Sequence, residues 1–234
     1  MAIYKNTPPI VTNGLILHLD AGSRQSYVSG STTWSDLSGN RNSGSLLVSG
    51  SGPVSASFDS TNQGSIRFSG TGSYVNCGIP LSFTSSFSLN FYFKTTVTNT
   101  VCVMTGIYSG SGADWFGAIG SDNKFIFSFG SPSKVDLSSL STINDGAWKL
   151  ASCIYDKSIN SSFLYINGIL QSSTSAIPSV VTQPGGNLMI SKFGDFYTFY
   201  FPGSIAVYQI YNRALSAQEV AQNYNALKSR FGLT

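Results

Sequence analysis

FSLNFYFK, residues 87–94, sets Phe87, Leu89, Phe91 and Phe93 on one side of an extended chain and Ser88, Asn90, Tyr92 and Lys94 on the other. Side chains of a strand alternate between its two faces, so this pattern predicts a half-buried β-strand with its four large apolar groups in a core. Burying each of them contributes about 1.5–3 kcal/mol. KFIFSF, residues 124–129, repeats the device with Phe125, Phe127 and Phe129, and LILHLD, residues 15–20, repeats it with Leu15, Leu17 and Leu19.

Working outward, further strands are expected near Ser65–Phe68, Tyr74–Cys77, Val101–Ile107, Trp148–Tyr155, Asn187–Ser191 and Ser204–Tyr211. Clusters of Gly, Ser, Asn and Pro separate them, the punctuation of sandwiches and jelly rolls. In FLYINGILQ, residues 163–171, Asn167-Gly168 stands between two alternating runs. Both residues tolerate positive φ, so a type I′ hairpin turn is expected there.

Only the end of the chain reads as helical. In RALSAQEVAQNYNALKSRFG, residues 213–232, Ser216 is followed three positions on by Glu219, a capping box. Val220, Tyr224 and Leu227 then recur at helical spacing, with Lys228 and Arg230 at the negative end of the dipole and Gly232 as a stop. The expected organisation is a single all-β domain over residues 14–234 that closes with a helix over 216–230. An extended arm over residues 1–13 precedes it, kept out of helix by Pro8 and Pro9. That arm is expected either to lie along a neighbouring subunit or to be an ordinary flexible terminus.

Composition narrows the function. Charged residues make up 10% of the chain, so its solubility rests on Ser, Thr, Asn and Gly, groups that neighbours cover at less desolvation cost than ions. The 13 Lys and Arg, net charge +3, are scattered singly and form no track for a phosphate backbone. Nucleic acid is therefore not expected as a partner. No apolar run approaches the roughly 20 residues that span a bilayer, so no membrane is expected either. The N-terminal residues lack a secretory pattern. Three widely spaced cysteines, Cys77, Cys102 and Cys153, suggest no disulfide framework and fit a reducing cytoplasm.

Catalysis is not expected. Glycoside hydrolysis needs paired carboxylates. The chain has one Glu, already placed in the capping box, and nine dispersed Asp. His18, the sole histidine, allows no multi-His metal site and reads as a hydrogen-bonded structural residue. In WSDLSGNRNSG, residues 34–44, Asp36, Ser38, Asn40 and Asn42 alternate as hard oxygen donors. Asp36 and Asn40 are candidate ligands of a low-affinity Ca²⁺ site, because affinity falls with the number of carboxylates. The competing reading is a turn that Trp34 anchors in the core. For sugar, an aromatic platform beside an acid is offered at GADWFG, with Asp114 and Trp115, and at FGDFYTFYFPG, with Asp195, Tyr197 and Tyr200. Both stretches equally suit a core or a subunit interface.

Taken in order, GLILHLDAG (14–22), TTWSDLSGNRNSG (32–44), GSIRFSGTGSYVNCG (64–78), LYINGIL (164–170) and the closing GSIAVYQIYNRALSAQEVAQNYNALKSRFG (203–232) resemble the LamG-like jelly-roll domains of the concanavalin A-like lectin and glucanase superfamily. They are most similar to versions found as structural proteins of tailed bacteriophages. The resemblance implies two facing antiparallel sheets. Many relatives carry an acidic pair, often tied to calcium, where this chain has Ala206 and Val207, so that site is not expected. The function the resemblance implies is a non-enzymatic virion structural protein, assembled in the host cytoplasm, that decorates a capsid or joins a tail or fibre. Other virion proteins are the expected partners, together with copies of itself, a trimer among the candidate symmetries. The alternative is a lectin-like module for host surface glycans.

Overall fold

A computed structural model describes residues 8–50, 56–78, 85–107, 115–130, 134–177, 186–193 and 199–234. In chain order the strands are β1 (Leu15–Asp20), β2 (Thr33–Trp34), β3 (Gly44–Val48), β4 (Ser57–Asp59), β5 (Ser65–Ser69), β6 (Ser73–Asn76), β7 (Phe87–Lys94) and β8 (Cys102–Ile107). They continue with β9 (Trp115–Ile119), β10 (Phe125–Phe129), β11 (Val135–Ser138), β12 (Lys149–Asp156), β13 (Ser161–Ile166), β14 (Ile169–Thr174), β15 (Met189–Ile190) and β16 (Pro202–Tyr211). The helix α1 (Ala217–Leu227) follows, then a 3₁₀ turn over Lys228–Phe231.

The strands form two antiparallel sheets. One runs β14-β13-β12-β7-β16-β5-β4, with β1 also paired to β16, and the other runs β11-β10-β9-β8-β15-β6-β3-β2. The expected jelly-roll sandwich is therefore what the chain forms. Between the sheets Phe87, Leu89, Phe91 and Phe93 meet Phe125, Phe127 and Phe129, with Trp34, Trp115, Tyr155 and Tyr208 filling the same core. The rings make tilted and edge contacts, such as Phe91 to Phe125 at 5.7 Å and Phe87 to Phe127 at 6.3 Å, which aromatic quadrupoles favour.

β7 departs from the expected half-buried strand, because its polar face is buried too. The C-terminal segment lies on that face. Tyr92 stacks on Phe231 at 4.4 Å and donates its hydroxyl to Tyr224 O at 3.1 Å. Ser88 Oγ donates to Arg213 O and accepts from Leu215 N. A strand pattern cannot register a cover that comes from residues more than a hundred positions away.

The capping box forms as expected, with Ser216 N donating to Glu219 Oε2 at 2.9 Å and Glu219 N to Ser216 Oγ at 3.3 Å. Arg213 adds a bidentate pair to Glu219 at 2.6 and 2.8 Å. The last turn tightens to 3₁₀, and Gly232 ends it at φ 67°. In the described part of the N-terminal arm, Gln222 Nε2 donates to Pro9 O, Val11 N donates to Asn223 Oδ1, and Tyr211 OH donates to Val11 O. This part of the arm is thus tied to the domain's own helix and last strand.

Five strands escaped the sequence reading: β2, β3, β4, β9 and β11. The first three and β11 are short. β9 holds Gly117 mid-strand, which reads as a loop signal. A Cβ there would lie 3.1 Å from the Phe125 ring, so glycine is what lets the two chains approach.

Candidate functional site

Beyond the end of α1, the described residues of the first sheet's outer face form a cleft. Strand register places Ser57, Arg67, Ser204 and Lys94 in one row across β4, β5, β16 and β7. At about 4.8 Å between strands the row spans about 14 Å. It forms the floor of a cleft of about 690 Å³, walled by Asp59, Ser69 and Pro202 and by Thr95, Thr96 and Gly146. The sequence delivers these groups by alternation: Ile66 and Phe68 point into the core, which turns Arg67 and Ser69 outward.

Lys94 Nζ stands 3.8 Å from Asp59 Oδ2 and 5.0 Å from the centre of the Trp148 ring. Thr61 side-chain and backbone donors hold the Asp59 carboxyl below its ordinary range, burial opposes them, and Lys94 and Arg67 add to the lowering. Asp59 is thus an anion at neutral pH. Arg67 is exposed and makes no hydrogen bond or ion pair among the described residues. One carboxylate, two cations and a set of hydroxyls suit the donors and acceptors of a polar ligand. They supply no second acid for the paired chemistry of glycoside hydrolysis.

Of the residues expected to hold sugar, only Trp115 and Tyr200 are among the described residues. Trp115 is fully buried between the sheets, 5.8 Å from the Phe87 ring, so it is a core residue and not a platform. Its strand neighbour Phe116 is the one that faces outward, packed at 5.0 Å against Phe193 and under Lys134. Tyr200 is half-buried beside Val103. Asp114, Asp195 and Tyr197 lie outside the described residues.

The cation candidate resolves as a turn. Asp36 Oδ1 accepts from His18 N and Ser38 N, and Oδ2 accepts from Ser38 Oγ and Asn42 N. Burial pulls its pKa upward, but those donors outweigh burial and hold it below the usual value. Asn40 spends its amide on Leu15 O and Ser38 Oγ. Trp34 anchors the loop at zero exposure. Among the described residues no three His, Cys, Asp or Glu converge on a metal position.

His18 is on the outer face, where burial lowers its pKa against the opposite pull of Asp20 and Asp36. Cys153 is on the inner face, its thiol pushed up by burial, so the two make no nucleophile and base pair. Cys77 and Cys102 are likewise buried and raised to about 12.

Asp59, Arg67 and Lys94 carried no signal in the sequence beyond standing at polar positions of alternating runs. Their meeting depends on β16 pairing with both β5 and β7.

A laminin G model described as the concanavalin A-like lectin/glucanases superfamily matches residues 69–221. The chain belongs to this superfamily. No curated protein matches the sequence. Among solved structures, this concanavalin A-like chain is similar to domain 4 of AbnA, a GH43 extracellular arabinanase from Geobacillus stearothermophilus, solved in complex with arabinotriose. Identity is 19%, the TM-score is 0.71, and the match covers 90% of this chain and 98% of that one. It is also similar to the binding domain of Paraclostridial Mosquitocidal Protein 1, at 16% identity and TM-score 0.71, covering 92% of this chain and 52% of that one. A botulinum neurotoxin type C structure, described by its interaction with two ganglioside molecules, matches at 15% identity and TM-score 0.69, covering 93% and 52%. The chain spans about half the length of these toxin chains, and at such identities the likeness is one of fold.

Proposed function

We propose that this domain is a non-catalytic adhesion module that binds carbohydrate in the cleft of Asp59, Arg67 and Lys94. The observation that carries the reading is the cleft itself: a polar trough of about 690 Å³ with convergent hydroxyls, two cations and a single carboxylate. Sugars offer donors and acceptors on every edge, and such a mixed lining answers both. The fold neighbours support it, since domain 4 of the arabinanase, matched over 98% of its length, was solved with arabinotriose bound. Buried tertiary contacts hold the trough's floor in place, so little ordering cost attends binding.

A glycan array followed by calorimetry tests the reading. Ser57→Trp places an indole in the trough from an exposed edge position and is expected to abolish binding while leaving the melting temperature unchanged. Retained affinity in that variant would move the site elsewhere, the first place to look being the sequence stretches of Asp114, Asp195 and Tyr197. Tyr197→Ala checks the stretch it shares with Asp195.

A second reading, a subunit of a tailed-phage particle, rests on the sequence resemblance and on one surface feature. Leu140, Ile169 and Leu170 are 69%, 67% and 46% exposed, and Gln171 links the first to the strand of the others through its bond to Leu140 N. Apolar groups gathered beside the outermost strand of the first sheet suit contact with a second copy. Light scattering on Ile169→Asp and mass spectrometry of purified particles test it. A monomeric wild type that no particle contains sinks the reading.

A further inference from the structure

We propose that the cleft selects acidic sugars, glycans whose carboxylate seats on Arg67; this rests on the carbohydrate-binding reading of the same cleft. Several of the described cations are spent in ion pairs, Lys149 on Asp145 among them. Arg213 forks onto Glu219 and Arg230 holds Asp20, so both guanidinium groups are spent inside the protein. In the cleft, Asp59 lies 3.8 Å from Lys94 and also feels the Arg67 charge, so a single carboxylate answers two cations, and Arg67 makes no ion pair or hydrogen bond of its own among the described residues. The lining therefore carries a surplus of one positive charge, located at a known position.

That position has a shape as well as a sign. The register sets Arg67 between Ser57 and Ser204, with Lys94 next beyond Ser204. A guanidinium presents parallel N–H groups that match the two oxygens of a planar carboxylate, a geometry an ammonium lacks. The flanking hydroxyls then fall where the ring hydroxyls of the same sugar residue stand. A neutral sugar returns to Arg67 only hydroxyl hydrogen bonds, whereas a carboxylate returns charge-assisted ones, which are about twice as strong. Asp59, two residues along β4 from Ser57, works against an acid placed at β4's end.

The experiment is isothermal titration of the full chain with trigalacturonate, its fully methyl-esterified neutral form, arabinotriose and a sulfated oligosaccharide of equal length. The expected result is at least tenfold tighter binding of trigalacturonate than of the ester, weakening as NaCl rises from 50 to 500 mM. Arg67→Gln should erase that preference while circular dichroism shows an unchanged melt. Equal affinity for acid and ester overturns acid selectivity and leaves carbohydrate binding standing. A preference retained in Arg67→Gln, or a stronger one for the sulfated sugar, also overturns it. Silence toward all four ligands and toward a broad glycan array overturns the carbohydrate reading itself.

Discussion

Arg230 Nη1 lies 2.7 Å from Asp20 Oδ1, a pair separated by 210 residues in sequence and only 6% and 16% exposed. The same guanidinium donates to Asn62 O at 2.7 Å and to Gly64 O at 2.9 Å. Asn62 answers from its side chain, donating to Arg230 O and accepting from Trp148 Nε1. The C-terminal turn, the first strand and the turn before β5 are thereby locked together, close to the cleft's β5 wall.

Removing one partner from such a pair strands the other charge in a poorly hydrated place. Arg230→Ala is expected to cost about 3–5 kcal/mol. Urea denaturation followed by tryptophan fluorescence reads the loss. The double variant Asp20→Asn with Arg230→Gln should recover part of it, because no uncompensated charge then remains.

Arg213 and, to a lesser degree, the Ser216 donors hold the Glu219 carboxyl at about 2, below its ordinary value of 4.5. A depressed folded-state pKa means the stabilisation is present above pH 4.5 and disappears as pH falls toward 2. Both side chains are about a quarter exposed, so screening limits the effect to the order of 1 kcal/mol. Stability measured from pH 6 down to 2 should drop across this window in the wild type and drop less in Glu219→Gln.

Phe231 stacks on Tyr92 and packs at 4.8 Å on Trp148, fastening the helical segment to the outer sheet face. Phe231→Ala should cost about 3–5 kcal/mol, as large-to-small changes of a buried aromatic do. Amide exchange should quicken over Ala217–Leu227 first, while the inner strand Phe125–Phe129 stays protected. Uniform acceleration across both would contradict the assignment of the helix as a separately fastened cover.

Beneath that cover, register aligns His18, Gln209, Asn90 and Ser152 across four strands. His18 Nε2, Gln209 Nε2, both Asn90 amide atoms and Ser152 Oγ are buried without a protein hydrogen-bond partner. An unsatisfied buried polar group costs about 1–3 kcal/mol, so Asn90→Leu combined with Gln209→Leu should raise the denaturation midpoint. A lowered midpoint would show instead that internal water bonds to this row.

Much of the sandwich was legible along the chain. Phe87 to Phe93 and Phe125 to Phe129 face the core as their alternation requires, because a strand's period is fixed by its backbone. The hairpin at Asn167 and Gly168, with φ of 53° and 78°, follows from which residues tolerate positive φ. Leu15 shows where alternation fails. The register slips between Leu15 and Leu17 in the pairing with β16, and Leu15 packs under the helix while Leu17 stays between the sheets.

Local chemistry, then, determined most of the strands, the turn, the capped helix and the scarcity of acids that argues for binding over hydrolysis. Tertiary structure alone decided that Trp115 is core, that Asp36 closes a loop, that residues 8–13 lie on their own helix, and that Arg67, Lys94 and Asp59 share a cleft. The reason is physical: periodicity is set by neighbours one and two positions away, whereas burial and site assembly depend on which distant strands pair, and β16 chooses its partners only in the folded chain.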